Sequence, residues 1–280
     1  SPMSRGLGDV YKRQYICYLI DKNITFIMNS LKLIALDNFP LIEPNDNLIN
    51  LIDSSINENN LNIDDGDIFV IAQKIVSKSE NRYVDLNTVE VSSDAEEMAS
   101  KLNKHPGLIQ LIMNESHKII STEKNVIIVE HKLGYININA GIDQSNIPQD
   151  KNLALLLPEN PTKSVEDLQK GLSGIFNKDI SVIISDSMTR PYRSGITNFA
   201  ISSSNLPSLL DLKGKKDMYG NILRGTEVAI ADELAAAAGL LMGQSKESKP
   251  VILIKGFIKG KNDINNAFDL IVNENEDLYR

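Results

Sequence analysis

The chain has 280 residues, 42% of them apolar, with 29 Lys+Arg against 37 Asp+Glu and hence a formal net charge of −8. That apolar share supplies a sizeable buried core and excludes a disordered tail or a fibre. The acid excess excludes a surface built mainly to neutralise a nucleic-acid backbone, which needs clustered Lys and Arg, and one cysteine, Cys17, excludes an intrachain disulfide and points to the cytoplasm.

Residues 1–14 are basic and precede an apolar patch at 15–20. The patch is shorter than the roughly 7 residues of the smallest signal core and far short of the ~20 of a membrane span, so neither export nor a membrane partner is expected. Residues 1–27 are read as a non-native leader with Met28 as the start, and a chain beginning at Met28 is expected to keep its activity. Residues 28–280 are read as one domain, with two intertwined subdomains as the variant.

In chain order, 31–36 is an apolar strand, followed by a turn through Phe39, Pro40, Leu41 and Ile42. Asp46 is placed as the cap of a helix whose apolar face is Leu48, Ile49, Ile52 and Ile56. Asp64-Asp65-Gly66-Asp67 marks a turn, and 68–76, rich in β-branched residues, reads as a strand. Helices are expected at 94–103 and 106–116, and strands at 117–121, 126–132 and 135–139. Ser164 and Asp167 have the spacing of a capping box. A buried strand is expected at 180–185, a helix at 226–242 capped by Thr226 and ended by Gly243, and a strand at 251–254. The stretch 262–280 is polar and weakly specified. Strands in succession mixed with helices give an α+β class with mixed, largely antiparallel sheets and no strict βαβ repeat.

Four polar groups lie at the ends of these elements. Asp143, in AGIDQSN after the strand 135–139, offers a carboxylate to a cation, and an Asx turn accounts for it equally. After the strand 180–185 come Asp186 and Ser187, hard oxygen donors suited to Mg²⁺ or Mn²⁺. Arg190 and Arg193 follow as forks for a carboxylate or phosphate, with a solvated surface loop as the competing reading. Gln73, Lys74 and Lys78 belong to the third group. In an extended segment the two lysines share a side and fit a polyphosphate, although solvated strand lysines that discourage aggregation are common. The fourth is the polar loop Met242, Gly243, Gln244, Ser245, Lys246, Glu247, Ser248 and Lys249, which lacks the Walker spacing and is otherwise a connector. G-x-G-x-x-G, H-E-x-x-H and G-x-S-x-G are absent, and His105, His117 and His131 lack zinc spacing, reading as surface or strand residues.

Taken in order, GDIFVIAQKIVSKSE, YININAGIDQSNI, LLLPENP, VIISDSMTRPYRSGITNFAIS, DLKGKKDMYGNIL and TEVAIADELAAAAGLLMGQ resemble the coenzyme F-420 gamma-glutamyl ligase family over roughly 31–257. The resemblance implies a GTP-dependent ligase that joins L-glutamate to a deazaflavin cofactor precursor, forming an amide and then gamma-glutamyl bonds. It implies a homodimer, two divalent cations (Mg²⁺ or Mn²⁺) and a K⁺ as a further candidate. Matched motif by motif, Asp143, Asp186, Ser187 and Gln244 fall where the family holds its metals. Phe39 to Ile42, Gln73, Lys74, Lys78, Asn146 and Met242 to Lys249 fall where it binds GTP. Gln244 departs from the acidic residue of some members, and Lys246, Glu247 and Lys249 make the loop more charged than a Gly-rich version.

Such chemistry has a physical rationale. A carboxylate is a poor acyl donor, so the expected path runs through an acyl phosphate made with the γ-phosphoryl of GTP, catalysed mainly by positioning and charge. On this reading Asp143 and Asp186 place the first cation, Ser187 and Gln244 the second, Lys74 and Lys78 cradle phosphates, and Arg190 and Arg193 hold an anionic part of the substrate. The alternatives are a metal-dependent nucleotide hydrolase, with water in place of the amine, and a non-catalytic nucleotide-binding homologue.

Overall fold

The computed structural model describes residues 30–148, 152–259 and 264–278, so the leader assigned to 1–27 and a few tail residues lie outside the described residues. Leu31 onward makes one compact unit. Its strands are β1 (Lys32–Ala35), β2 (Ile68–Ala72), β3 (Tyr83–Asp85), β4 (Ser116–Ser121), β5 (Ile128–His131), β6 (Ile136–Ile138), β7 (Leu153–Leu155), β8 (Ser181–Arg190), β9 (Arg193–Ser204), β10 (Leu209–Asp211), β11 (Glu227–Ala229) and β12 (Val251–Lys255). Its helices are α1 (Leu48–Glu58), α2 (Gln73–Ser79), α3 (Ser93–Leu102), α4 (Pro106–Asn114), α5 (Pro161–Phe176) and α6 (Ile230–Met242).

The main sheet has the order β1-β12-β2-β8-β9. Only β2 and β8 run parallel; the other neighbours are antiparallel. Smaller antiparallel sheets are β4-β5-β6, β3-β7 and β10-β11. The class is therefore α+β and largely antiparallel, as the order of predicted elements implied.

Strand alternation builds two cores from one sheet. Phe69, Ile71, Val182, Ile184 and Leu253 face Ile52 of α1 and Leu168 and Leu172 of α5. Ile68, Val70, Ile183, Ile252 and Ile254 face Leu234, Ala235 and Ala238 of α6. Because both faces are covered, β2, β12 and the Val182–Ile184 part of β8 read as unbroken apolar runs rather than alternating ones. Each fully buried side chain of this size contributes about 1.5–3 kcal/mol, and Phe69→Ala is the single change that would damage the first core most, at about 3–5 kcal/mol. Four consecutive alanines let α6 lie close to its face. A third core, from Leu86, Ile109, Ile112, Ile127 and Val129, joins α3 and α4 to the three-stranded sheet. Tyr135 pins that sheet to the main one: its phenol donates to the Ile201 carbonyl at 2.7 Å, and its ring stacks on Phe268 and meets Phe199 edge-on.

Several boundaries differ from the sequence reading. The segment 68–76 is not one strand: it leaves the sheet after Ala72 and becomes α2, whose Ile75 and Val76 enter the core. Short β-branched runs fit either period, and here tertiary burial decides. The cap of α1 is Asn47, which accepts from the Asn50 amide, while Asp46 instead accepts from the Glu43 amide. Ser164 is not a cap; α5 starts earlier, with Asn160 as cap and Pro161 in its first turn, the position that tolerates a missing N–H. Residues 185–195 are not a loop but the two arms of the β8–β9 hairpin, turning at Pro191-Tyr192. Thr226 caps nothing, because 227–229 pairs as β11 before α6 begins. Gly243 does end α6, with φ of 73°. The tail is better specified than its polarity suggested, since Asn266 and Asp269 form a capping box and Ala267 is buried.

Candidate active site

The parallel pair β2–β8 sets the site. Ala72 is in register with Ser185, so the next residues, Gln73 and Asp186, emerge side by side where β2 ends and its parallel pairing with β8 stops, β8 itself continuing to Arg190 as an arm of the hairpin. Ligands bind at that end in open sheets with parallel strands, where the chain turns into helices and loops. Because α2 starts at once, Lys74 and Lys78 share a side through the i,i+4 spacing of a helix, not through the period of a strand.

Asp143 comes from the other lobe. Asn139, Ala140 and Gly141 take φ of 51°, 56° and 68°, a tight left-handed turn after β6. The backbone of Asp143 is then pinned to Leu155 by two hydrogen bonds of 2.9 and 2.8 Å. Its Oδ2 accepts from Gln73 Nε2 at 3.3 Å and pairs with Lys74 Nζ at 3.2 Å, while Oδ1 accepts from Ser145 Oγ at 3.2 Å. Gln73 is buried, and its Oε1 accepts from Ser77 Oγ at 2.9 Å, which fixes the orientation of its amide. Lys74 Nζ also donates to the carbonyl and hydroxyl of Ser145 at 3.2 and 3.1 Å. Lys78 donates to the Asn146 carbonyl at 2.8 Å, and Asn146 Nδ2 reaches the Ser245 carbonyl at 3.0 Å. Burial, then the neighbouring charge of Lys74, lowers the Lys78 ammonium below its ordinary range.

Asp186 Oδ2 accepts from Asn137 Nδ2 at 3.3 Å. Burial and then the Asp143 charge push its carboxyl up to about 7. Two carboxylates held together with too little positive charge are what a cation relieves. Alternation along β8 sends Ser187 to the opposite side of the ribbon from Asp186. There Ser187 faces Asn198 of β9, and Asn198 Oδ1 accepts from Gln244 Nε2 at 2.8 Å. The four predicted metal residues thus form two groups, Asp143 with Asp186 and Ser187 with Gln244.

Among the described residues no three His, Cys, Asp or Glu side chains gather into a metal centre. A set of two carboxylates, a hydroxyl and an amide is all hard oxygen. It suits Mg²⁺ or Mn²⁺, which take one or two carboxylates and complete their shell with substrate phosphate and water.

The structure distributes the remaining candidates unevenly. Phe39 and Ile42 are buried core residues, whereas Pro40 and Leu41 are exposed beside them. Lys249 pairs with Asp37 at 3.1 Å, bringing the end of the 242–249 loop to this turn. Met242 is buried in the last turn of α6, and Gly243, Lys246 and Ser248 shape or edge the loop. Glu247 does not face away: its Oε2 accepts from the Ser245 amide at 2.8 Å, and backbone N–H groups hold its carboxyl below the usual range. Arg190 and Arg193 pair at the far end of the hairpin, four residues from Asp186 and so roughly 13 Å along the strand. They are not part of the same cluster. Sequence reasoning missed Asn137, Ser145 and Asn198, amides and a hydroxyl whose significance lies in what faces them. A polar Asn where the apolar run of β9 begins was the only available signal for Asn198.

Comparison with known proteins covers the stretch of chain that holds these residues. The profile of the F420-0:Gamma-glutamyl ligase family matches 37–256. A protein of Methanothermobacter thermautotrophicus named coenzyme F420:L-glutamate ligase is 40% identical over 227 residues, covering 81% of this chain and 89% of its own. Proteins of the same name from Methanocaldococcus jannaschii and Archaeoglobus fulgidus are 41% and 32% identical over 222 and 245 residues, covering 78% and 87% of this chain and 86% and 94% of their own. Among the described residues no helix is long and apolar enough to cross a membrane.

Proposed function

Since the chain belongs to the F420-0:gamma-glutamyl ligase family, we propose that it joins L-glutamate to a deazaflavin cofactor precursor at the expense of GTP. The observation that carries this reading is the convergence of Asp143, Asp186, Lys74 and Lys78 where β2 and its parallel pairing with β8 end, under the 242–249 loop. Carboxylates and ammonium groups so close suit a polyphosphate better than a neutral substrate.

In the proposed reaction an oxygen of the precursor carboxylate attacks the γ-phosphorus, the bond to GDP breaks, and an acyl phosphate forms. The glutamate amine then attacks the acyl carbon, inorganic phosphate leaves, and the amine gives up a proton as the amide forms. Divalent cations, when bound by Asp143 and Asp186 and by Ser187 and Gln244, supply charge neutralisation on the phosphate oxygens. Lys74 and Lys78 carry fixed positive charge towards the same oxygens, and their present partners, Asp143, Ser145 and Asn146, keep both heads in place. Gln73 holds Asp143 by its amide, and Asn137 holds Asp186, so the carboxylates need little rearrangement. Arg190 and Arg193, at a distance, are assigned to the anionic portion of the precursor, and no general base is assigned. The protein is proposed to work as a cytoplasmic homodimer, with K⁺ as a further cation.

The test is to incubate the protein with GTP, Mn²⁺ or Mg²⁺, L-glutamate and the deazaflavin precursor, following product mass and released phosphate. A glutamyl mass increment that Asp186→Ala and Asp143→Ala each reduce by at least 100-fold is expected. Phosphate release without the increment would assign a hydrolase, and GTP binding with neither product a non-catalytic homologue.

A further inference from the structure

Asn198 sits where β9 passes beneath the last turn of α6. Its side chain is buried, faces Ser187 across the β8–β9 ladder, and is gripped twice from the helix end. Oδ1 accepts from Gln244 Nε2 at 2.8 Å, and Nδ2 points to Met242 Sδ at 3.7 Å. Room for it comes from Gly239, where a Cβ would lie 2.8 Å from both the Asn198 carboxamide carbon and its oxygen. A glycine inside an alanine-rich helix weakens that helix, so its place here has a packing reason: it admits the amide.

A primary amide has a donor end and an acceptor end. With Nε2 spent on Asn198, Gln244 keeps Oε1 as the end available to a ligand, and Gln244 itself is exposed. Were Asn198 unable to accept, nothing in this contact would prefer oxygen over nitrogen at that end, and an NH₂ group presented to a cation repels it.

We propose that Asn198 is a positioning residue that orients the Gln244 carboxamide oxygen-first, and that Gly239 is the gap that lets it do so. Together they set the affinity of the Ser187–Gln244 half of the site for a divalent cation that neither residue touches. This rests on the metal reading given above. Partners of metal ligands commonly change affinity by about 10–100-fold when removed. Ser187 and Gln244 are uncharged, so this half fills only when nucleotide phosphate completes the shell, whereas the carboxylate pair binds without it.

The test is a Mn²⁺ titration read by electron paramagnetic resonance, with and without a non-hydrolysable GTP analogue. Asn198→Leu, which matches the shape without the acceptor, is expected to weaken the nucleotide-dependent Mn²⁺ about tenfold or more and to leave the nucleotide-independent Mn²⁺ unchanged. Asn198→Asp, which keeps the acceptor, is expected to restore binding. Gly239→Ala, on the helix rather than the strand, is expected to reproduce the weakening, and it serves alone if Asn198→Leu does not fold. Wild-type affinity for the nucleotide-dependent Mn²⁺ in Gly239→Ala or in a folded Asn198→Leu protein would overturn the proposal, as would equal loss of both Mn²⁺ classes. Asp186→Ala separates the two readings: if it removes no Mn²⁺, the metal site itself is wrong.

Discussion

At the scale of single residues, the site carries an electrostatic cost in the free protein. Asp186 is pushed up to about 7, by burial first and by Asp143 second, from the ordinary carboxylate value of about 3.9. A raised folded value means that ionisation opposes folding. The favourable contribution of the protonated group is complete below about 4 and is lost as pH rises through about 7. Asp186→Asn removes the charge and keeps an acceptor for Asn137, so it is expected to stabilise the metal-free protein at pH 8, on the order of 1–3 kcal/mol. That gain should shrink to nothing towards pH 4. Thermal melts in a chelator at both pH values check this, and identical melting at pH 8 would show that the carboxylate pair is not strained. Asp143 and Asp186 were legible as candidates because a carboxylate just after an apolar segment stands out. Asn137, Ser145 and Asn198 were not, because a neutral amide or hydroxyl acquires a role only from the group that folding puts opposite it.

At the scale of elements, close approach decides more than propensity. Gly171 of α5 lies against Ile49 of α1, and a Cβ there would sit 2.3 Å from Ile49 Cδ1. Helix propensity alone predicts that Gly171→Ala gains about 1 kcal/mol. The contact predicts a loss of about 1–3 kcal/mol from overpacking, partly restored by Ile49→Ala in the double variant, as denaturant midpoints would show. A gain in the single variant would mean that the Ile49 side chain swings aside freely. The same competition explains the misread start of α2. Its sequence, QKIVSKS, carries no strong helix signal, yet Ile75 and Val76 reach the core and Ser77 bonds back to Gln73 only if the chain coils after Ala72. That coil carries Lys74 and Lys78 to the Asp143 loop. The hairpin of β8 and β9 was half legible: the apolar half of β8 was evident, but its polar continuation read as loop because nothing local shows that β9 lies beside it.

At the scale of the whole molecule, one sheet covered on both faces carries two of the three cores, and the small three-stranded sheet carries the loop that delivers Asp143. Amide hydrogen exchange should therefore be slowest in β2, β8 and β12 and faster in β4, β5 and β6, whose outer residues are more open to solvent. The reverse order would place the stable centre of the molecule in the other lobe. The amino-acid sequence by itself determined the α+β class and most strands and helices, and it singled out Asp143, Asp186, Lys74 and Lys78 as candidates, since these follow from local patterning and from motifs that keep their order along the chain. Tertiary structure alone decided that β2 and β8 run parallel, that Asp143 meets Gln73 and Lys74, which lie 70 and 69 positions away in the chain, and that Asp186 and Ser187 serve opposite sides of one ribbon. Strand direction, register and burial are set by contacts between distant segments, and those contacts exist only once the sheet has closed around its two cores.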